Sequence, residues 1–311
     1  MKLSNPLRHP FRVGPVEKPR AEGRFHLSDG RRLGFAEYGD PRGEVVLWCH
    51  GTPGGRRQLS LPGRRAAERL GLRVVVVERP GSGLSDPHAY AAVADWAADT
   101  AEVADALGAQ RLGVVGLSGG GPFALACGAV SPPAARVAAV AVLGGMVPSV
   151  GPEAGAGPVD GLARRAAPLL STLRRPLAAL TFGLLAPLIP AAHYGLRAYS
   201  VFQPAGDQRV FADPAMEAVF VEDFVLSLRG GCQATIDDLR LFGRDWGFRL
   251  ADVKAPVRWW HGDADPLVPL AAARSAVSHL PDADLVVCPG ESHLGGFAEA
   301  GAVLGFLREA L

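Results

Sequence analysis

Apolar and polar positions along this chain fall into two alternating rhythms. Short runs of apolar and β-branched residues end abruptly at glycine-rich turns, and longer stretches with apolar residues every three or four positions lie between them. Arg24–Leu27 and Leu33–Tyr38 flank the turn signal Ser28-Asp29-Gly30 and predict a β-hairpin. Val45–Cys49, Arg73–Glu78, Arg111–Val115, Val137–Leu143, Val257–His261 and Asp284–Cys288 predict six further strands. Val74-Val75-Val76-Val77 is continuously β-branched, as a parallel strand buried on both faces would be. Helical spacing covers Leu59–Leu70, Ala91–Leu107, Pro122–Val130, Leu270–Leu280 and Gly301–Leu311, with Gly108 stopping the second. Alternating buried strands and helices predict a mostly parallel eight-stranded sheet flanked by helices, an α/β fold.

The rhythm breaks after Gly145. Residues 146–248 read as a mainly helical insertion: a Gly/Pro/Ala loop over Gly151–Gly161, then a strongly apolar stretch, Leu162–Ala192. Pro176–Ala192 is slightly short for a membrane span and is interrupted by Pro187 and Pro190, so no transmembrane segment is expected. A cap that lines an apolar pocket accounts for this composition, with transient lipid contact through the cap as a lesser expectation. The division expected is an irregular lead-in over 1–23, a core formed by 24–145 and 249–311, and the insertion.

Composition narrows the function classes. A chain of 311 residues, 48% hydrophobic, holds one large domain with a subdomain. Net charge of +1 gives no footprint for nucleic acid. The first 20 residues carry Pro6, Pro10, Pro15 and Pro19 and lack a continuous apolar core, so no secretory signal is read there and a cytoplasmic location is expected. Cys49, Cys127, Cys232 and Cys288 have no metal-ligand spacing and read as buried free thiols. No metal or organic cofactor is expected, and nothing in the chain sets an oligomeric state.

The chemistry converges on strand ends, where ligands sit in sheets of this kind. Val114-Val115-Gly116-Leu117-Ser118-Gly119-Gly120-Gly121-Pro122 runs from strand to helix through G-x-S-x-G, the pattern of a nucleophile elbow. The tight turn demands small neighbours, and the helix behind it aims N–H groups at charge forming on Ser118. A Walker loop is unsupported because no Lys-Ser/Thr follows. A serine nucleophile needs a base and a carboxylate to orient that base. Asp265 and then His293 follow predicted strands on the same edge, giving the order Ser…Asp…His. Asp263 is the rival acid, its plainer role being a turn residue. His50 is the rival base, more simply a prop for its loop.

Five segments together resemble the serine-nucleophile branch of the α/β-hydrolase superfamily, similar to bacterial esterases and lipase-like hydrolases. They are His50-Gly51-Thr52-Pro53-Gly54, Arg79-Pro80-Gly81-Ser82-Gly83-Leu84-Ser85-Asp86, Gly116–Gly120, His261–Pro269 and Gly290-Glu291-Ser292-His293. The resemblance covers about residues 24–311 and implies an α/β-hydrolase fold with the insertion as its cap after the sixth strand. It implies Ser118 as nucleophile, His293 as base and Asp265 as the acid, three residues after Gly262. The N–H groups of Thr52 and Gly119 are implied as the oxyanion hole, with the Thr52 hydroxyl a lesser third donor. Many esterases carry His-Gly-Gly-Gly where this chain has His-Gly-Thr-Pro-Gly-Gly. Arg79 and Asp86 are expected to organise their loop, His193 and His279 to be cap and surface residues, and Trp259 and Trp260 to pack on opposite faces of one strand. The expected partner is a small hydrophobic ester cleaved through an acyl-serine. Amide, thioester, perhydrolase or C–C hydrolase chemistry and ligand binding on the same scaffold stay open. An aminopeptidase would need a carboxylate for the substrate amine. Glu153, Glu217, Glu222 and Asp223 lie in or near the insertion, where they read more simply as solvated surface.

Overall fold

The structure, a computed structural model, describes residues 16–155 and 157–311. The expected lead-in falls largely outside these residues. Strand β1 (Ala21–His26) already starts three positions before the predicted hairpin and pairs antiparallel with β2 (Arg32–Gly39). The remaining strands are β3 (Glu44–Cys49), β4 (Leu72–Val77), β5 (Leu112–Leu117), β6 (Val137–Leu143), β7 (Val257–Gly262) and β8 (Ala283–Cys288). They form one eight-stranded sheet in the order β1-β2-β4-β3-β5-β6-β7-β8. β2 pairs antiparallel with β4, and every later pairing is parallel.

Helices cover both faces, so central strands are buried on both sides. On β5, Val114 joins the core beneath α2 (Trp96–Leu107), α3 (Gly121–Ala129) and α9 (Leu270–Ser278). Its neighbour Val115 joins the core beneath α1 (Leu61–Arg69) and α10 (Ala300–Ala310). Trp259 and Trp260 divide between the two cores as strand alternation requires. α1 begins where the Ser60 hydroxyl accepts from the Gly63 N–H. α2 starts later than its periodicity suggests. Asp95 accepts from the N–H groups of Ala91 and Ala92, holding Val93–Asp95 as a separate 3₁₀ turn.

Between β6 and β7 the chain builds a helical layer above the strand ends: α4 (Pro158–Leu185), α5 (Ala192–Val201), α6 (Ala205–Ala212), α7 (Pro214–Ser227) and α8 (Gln233–Phe242). α4 begins inside the stretch expected to be a loop. It kinks at Leu173 (φ −109°, ψ 18°), three residues before Pro176, whose ring cannot sit against the preceding turn. A second break, the 3₁₀ turn Ala186–Ala191, separates α4 from α5 and contains Pro187 and Pro190. α4 packs on α8, and Leu170, Ile189, Val221 and Ile236 lie in a small core of the cap itself.

Candidate active site

Ser118 stands where β5 ends, on a turn that only small residues can make. Its φ of +49° is the one left-handed value at a non-glycine residue among those described. A side chain at Gly120 would collide with the Cys49 carbonyl oxygen. One at Gly116 would come within 2.6 Å of the Gly121 Cα. The glycines flanking Ser118 are therefore demanded by backbone approach. The strained turn is locked by the sheet beneath it and by a hydrogen bond from the Met146 N–H to the Ser118 carbonyl.

The Ser118 Oγ lies 2.7 Å from His293 Nε2, and His293 Nδ1 lies 2.8 Å from Asp265 Oδ2. The other Asp265 oxygen accepts from the N–H groups of Leu267 (2.8 Å) and Val268 (3.0 Å). The carboxylate is thus fixed and hydrogen-bonded on both oxygens. Burial pushes the Asp265 pKa up, but the His293 hydrogen bond and charge and the Val268 N–H outweigh it, and the net shift is downward. Burial pulls His293 down, yet the Asp265 hydrogen bond and charge, with the charge of Asp207, carry it above the ordinary imidazole value. Asp263 is elsewhere: it accepts from the Gly290 N–H and serves the turn.

Behind Asp265 sits His261. Its Nδ1 accepts from the Trp259 indole N–H, so its proton is on Nε2, which donates to the Val268 carbonyl at 2.7 Å and lies 3.5 Å from Asp265 Oδ2. Burial lowers its pKa and keeps it neutral. His50 is likewise a structural neutral imidazole. Its Nε2 accepts from the Arg79 N–H, its Nδ1 donates to the Gly51 carbonyl, and burial with the nearby Arg79 charge holds its pKa well below normal.

Thr52 and Gly119 face each other across the site. A Cβ on Gly119 would sit 2.5 Å from Thr52 Oγ1. The Thr52 N–H donates to no group among the described residues. That of Gly119 lies in the first turn of a 3₁₀ segment, Ser118–Gly120, where the ladder leaves N–H groups unpaired. The Thr52 hydroxyl differs from expectation. It donates to Asp238 Oδ2 at 2.6 Å and accepts from Arg79, so it is not free to act as a third donor.

Two cap carboxylates reach this site without any signal in local sequence. Asp238 of α8 receives Arg79 Nη2 at 2.7 Å, and Arg79 also donates to the carbonyls of His50 and Gly51. The guanidinium lies over the Phe123 ring, 4.6 Å from its centre. Asp207 of α6 brackets His293: its Oδ1 accepts from the Leu294 N–H at 2.7 Å, and its own N–H donates to Ser292 Oγ at 3.0 Å. Asp86 pairs with Arg32 and holds its loop against β2.

Of the cap acids expected to be solvated, Glu217 and Asp223 are buried and Glu153 is largely covered, while the Glu222 side chain stays 31% exposed. Asp223 is buried and accepts from the N–H groups of Gly55 and Arg57, and burial raises its pKa to about 7. Glu217 is buried against Arg197, Glu222 pairs with Arg57, and Glu153 accepts from the Leu250 N–H. Arginines partner Glu153, Glu217 and Glu222, whereas at Asp223 burial outweighs the two N–H donors and the net shift is upward.

Above Ser118 opens a cavity of about 850 Å³. Its walls are apolar, with Leu196, Phe211, Phe220, Phe224 and Leu239 from the cap, and it reaches Thr52, Ser118, Gly119 and His293 at its floor. Among the described residues, no Asp, Glu, Lys or Arg lines it. No group of three His, Cys, Asp or Glu side chains is arranged to hold a metal among the described residues, and all four cysteines are free and buried. The arrangement can move a proton from a serine hydroxyl to an imidazole, hold the resulting cation, and offer N–H groups to an oxyanion.

Sheet order, elbow and cap define the α/β-hydrolase fold. The Alpha/beta hydrolase family profile matches residues 45–304, and the chain belongs to that family. A proline iminopeptidase of Xanthomonas citri is 35% identical over 115 residues, which is 36% of each chain, so the chain matches about a third of that relative's length. Among solved structures, the esterase RhEst1 from Rhodococcus sp. ECU1013 superposes with a TM-score of 0.64 at 20% identity, covering 93% of this chain and 99% of the other. The enol-lactonase from Burkholderia xenovorans LB400 gives 0.66 at 16% identity, covering 93% and 99%. At these identities the structural likeness establishes the fold.

Proposed function

We propose that this hydrolase cleaves carboxylic esters of apolar substrates through an acyl-serine intermediate. One observation carries the reading: the Ser118–His293–Asp265 line ends at the floor of a cavity whose described lining has no carboxylate and no cation beyond the His293 imidazole. Ser118 Oγ attacks the carbonyl carbon while His293 Nε2 takes its proton. The N–H groups of Thr52 and Gly119 receive the oxyanion, and the Asp265 carboxylate steadies the imidazolium. His293 then protonates the leaving alkoxide, and water activated by the same imidazole hydrolyses the acyl-enzyme.

The likeness to proline iminopeptidases favours a second reading, removal of an N-terminal residue from a peptide. That reaction binds a protonated amine and calls for a carboxylate facing the substrate. Glu153, Glu217, Glu222 and Asp223 are each engaged by a partner, and none lines the cavity. The ester reading therefore fits the apolar walls better.

Steady-state hydrolysis of p-nitrophenyl esters from acetate to long acyl chains, with wild type and Ser118→Ala in parallel, tests the proposal. Turnover that depends on Ser118 and passes through an optimum in chain length is expected. Turnover of prolyl amides but of no ester would favour the peptidase. Stoichiometric acylation without turnover would favour a binding protein on this scaffold.

A further inference from the structure

All the large apolar side chains that are exposed among the described residues fall between 162 and 202: Leu162, Leu169, Leu173, Leu180, Leu184, Leu188, Tyr194, Val201 and Phe202. Phe202 is 86% exposed and Leu184 66%. Scattered apolar residues on a surface need no explanation, but a concentration of them on one helical segment does. The same segment is electrically one-sided. From 161 to 206 there is no Asp or Glu, whereas Arg164, Arg165, Arg174, Arg175 and Arg197 all lie within it. Arg174 and Arg197 are turned to cap carboxylates, Asp237 and Glu217, while Arg165 and Arg175 stay exposed.

Gly161–Ala198 is long and apolar enough to cross a membrane by length and composition, yet only 11% of its most apolar window is buried. Its shape does not suit crossing. The Leu173 kink and the 3₁₀ turn Ala186–Ala191 divide it into pieces, and α5 has 10 residues, whereas a span needs about 20 in one run. Broken amphipathic helices with arginines at their edges lie along an interface. The exposed face also continues into the active-site cavity: Leu188 and Tyr194 are 61% and 67% exposed and also line the cavity.

We propose that the cap face built from α4 and α5 docks on an anionic lipid surface and opens the cavity toward it. Leucines enter the acyl boundary, arginines meet lipid phosphates, and an apolar substrate dissolved in the bilayer passes between Leu188 and Tyr194 without crossing water. Delivery of substrate rests on the ester reading; docking does not. A second copy of this chain fits the face less well, because two copies of the 161–206 segment, each with arginines and no Asp or Glu of its own, would be apposed.

Flotation of the full chain carrying Ser118→Ala with vesicles separates the two, since binding needs no turnover. Binding to mixed phosphatidylcholine–phosphatidylglycerol vesicles, weaker to phosphatidylcholine alone, is expected. Leu180→Asp/Leu184→Asp, at positions off the cavity wall, should cut the vesicle-bound fraction about tenfold. In the Ser118 background the same pair should leave hydrolysis of a soluble short ester unchanged. Arg165→Glu/Arg175→Glu should remove the preference for anionic vesicles, and serves as the check should the leucine pair impair folding. Absence of vesicle binding, binding indifferent to both pairs, or a wild-type dimer that the leucine pair dissociates would overturn the proposal. Vesicle binding by a chain that turns over no ester would leave docking standing and remove the ester reading.

Discussion

Asp238 of the cap and Arg79 of the sheet edge form a buried ion pair 2.7 Å long, and the Thr52 hydroxyl lies between them, donating to one and accepting from the other. The loop that presents the Thr52 N–H is therefore held by a carboxylate on a different layer of the molecule. Asp238→Ala would leave the Arg79 guanidinium buried with only carbonyl and hydroxyl acceptors. Breaking one side of such a pair costs about 3–5 kcal/mol. A lower melting temperature is expected, together with a fall in kcat of about 10²-fold as the oxyanion donor shifts. Thermal melts and steady-state rates on one ester measure both. An unchanged kcat in a folded Asp238→Ala protein would show that the pair serves stability alone.

Removing Ser118 or His293 should cost about 10⁴–10⁶ in kcat, because triad members act as a unit. The two candidate acids should separate sharply. Asp265→Asn disturbs the group 2.8 Å from His293 Nδ1 and should lower kcat by about 10⁴. Asp263→Asn alters only the acceptor for the Gly290 N–H and should keep kcat within about tenfold of wild type. The reverse order would reassign the acid.

Why the sheet and the Ser118–His293–Asp265 arrangement can be read from sequence while the cap contacts cannot follows from where the information sits. β5 is buried on both faces, so its whole run, Leu112–Leu117, is apolar or glycine, and its end is marked by Ser118 and glycines. Asp265 and His293 follow strands of the same kind. Asp207 and Asp238 carry no such marks. Their partners lie 85 to 186 residues away in the chain, and nothing adjacent to them in sequence specifies a contact. Asp223 and Glu217 read as surface for the same reason: nothing beside them in sequence announces the Gly55 and Arg57 N–H groups that bind the first, or Arg197 of a neighbouring cap helix that binds the second. His261 is the intermediate case: its spacing from Asp265 is short, but its role depends on a Trp259 N–H that fixes its tautomer.

Activity should fall as pH is lowered, because His293 accepts the Ser118 proton only when neutral. Burial favours the neutral form, but Asp265 and then Asp207 outweigh it, so the acid limb of kcat/KM should lie above the ordinary imidazole value of about 6.5. For stability the sign is opposite. A raised histidine pKa contributes stability that is complete below the unfolded value and is lost as pH rises through the folded one. Asp207→Asn keeps an oxygen for the Leu294 N–H while removing the charge, and should move the acid limb to lower pH. Asp207→Ala should in addition lower kcat at the pH plateau. A limb that stays put in Asp207→Asn would confine Asp207 to holding the backbone.

Ser118 itself should be a site where activity and stability oppose each other. Its φ of +49° is unfavourable for any residue bearing a Cβ, by about 1 kcal/mol or more, and costs glycine nothing. Ser118→Ala and Ser118→Gly both lose the hydroxyl and its 2.7 Å contact with His293, so both should be inactive. They differ in strain. Alanine keeps the Cβ in the left-handed region, whereas glycine releases it, and that relief competes with the added freedom of glycine in the unfolded chain. Ser118→Gly should unfold at a higher denaturant midpoint than Ser118→Ala. Chemical denaturation of the two variants side by side reads the difference. Equal midpoints would mean that the strain relieved by glycine at Ser118 is no larger than the freedom glycine adds to the unfolded chain, so that the left-handed turn costs less than the expected value of about 1 kcal/mol.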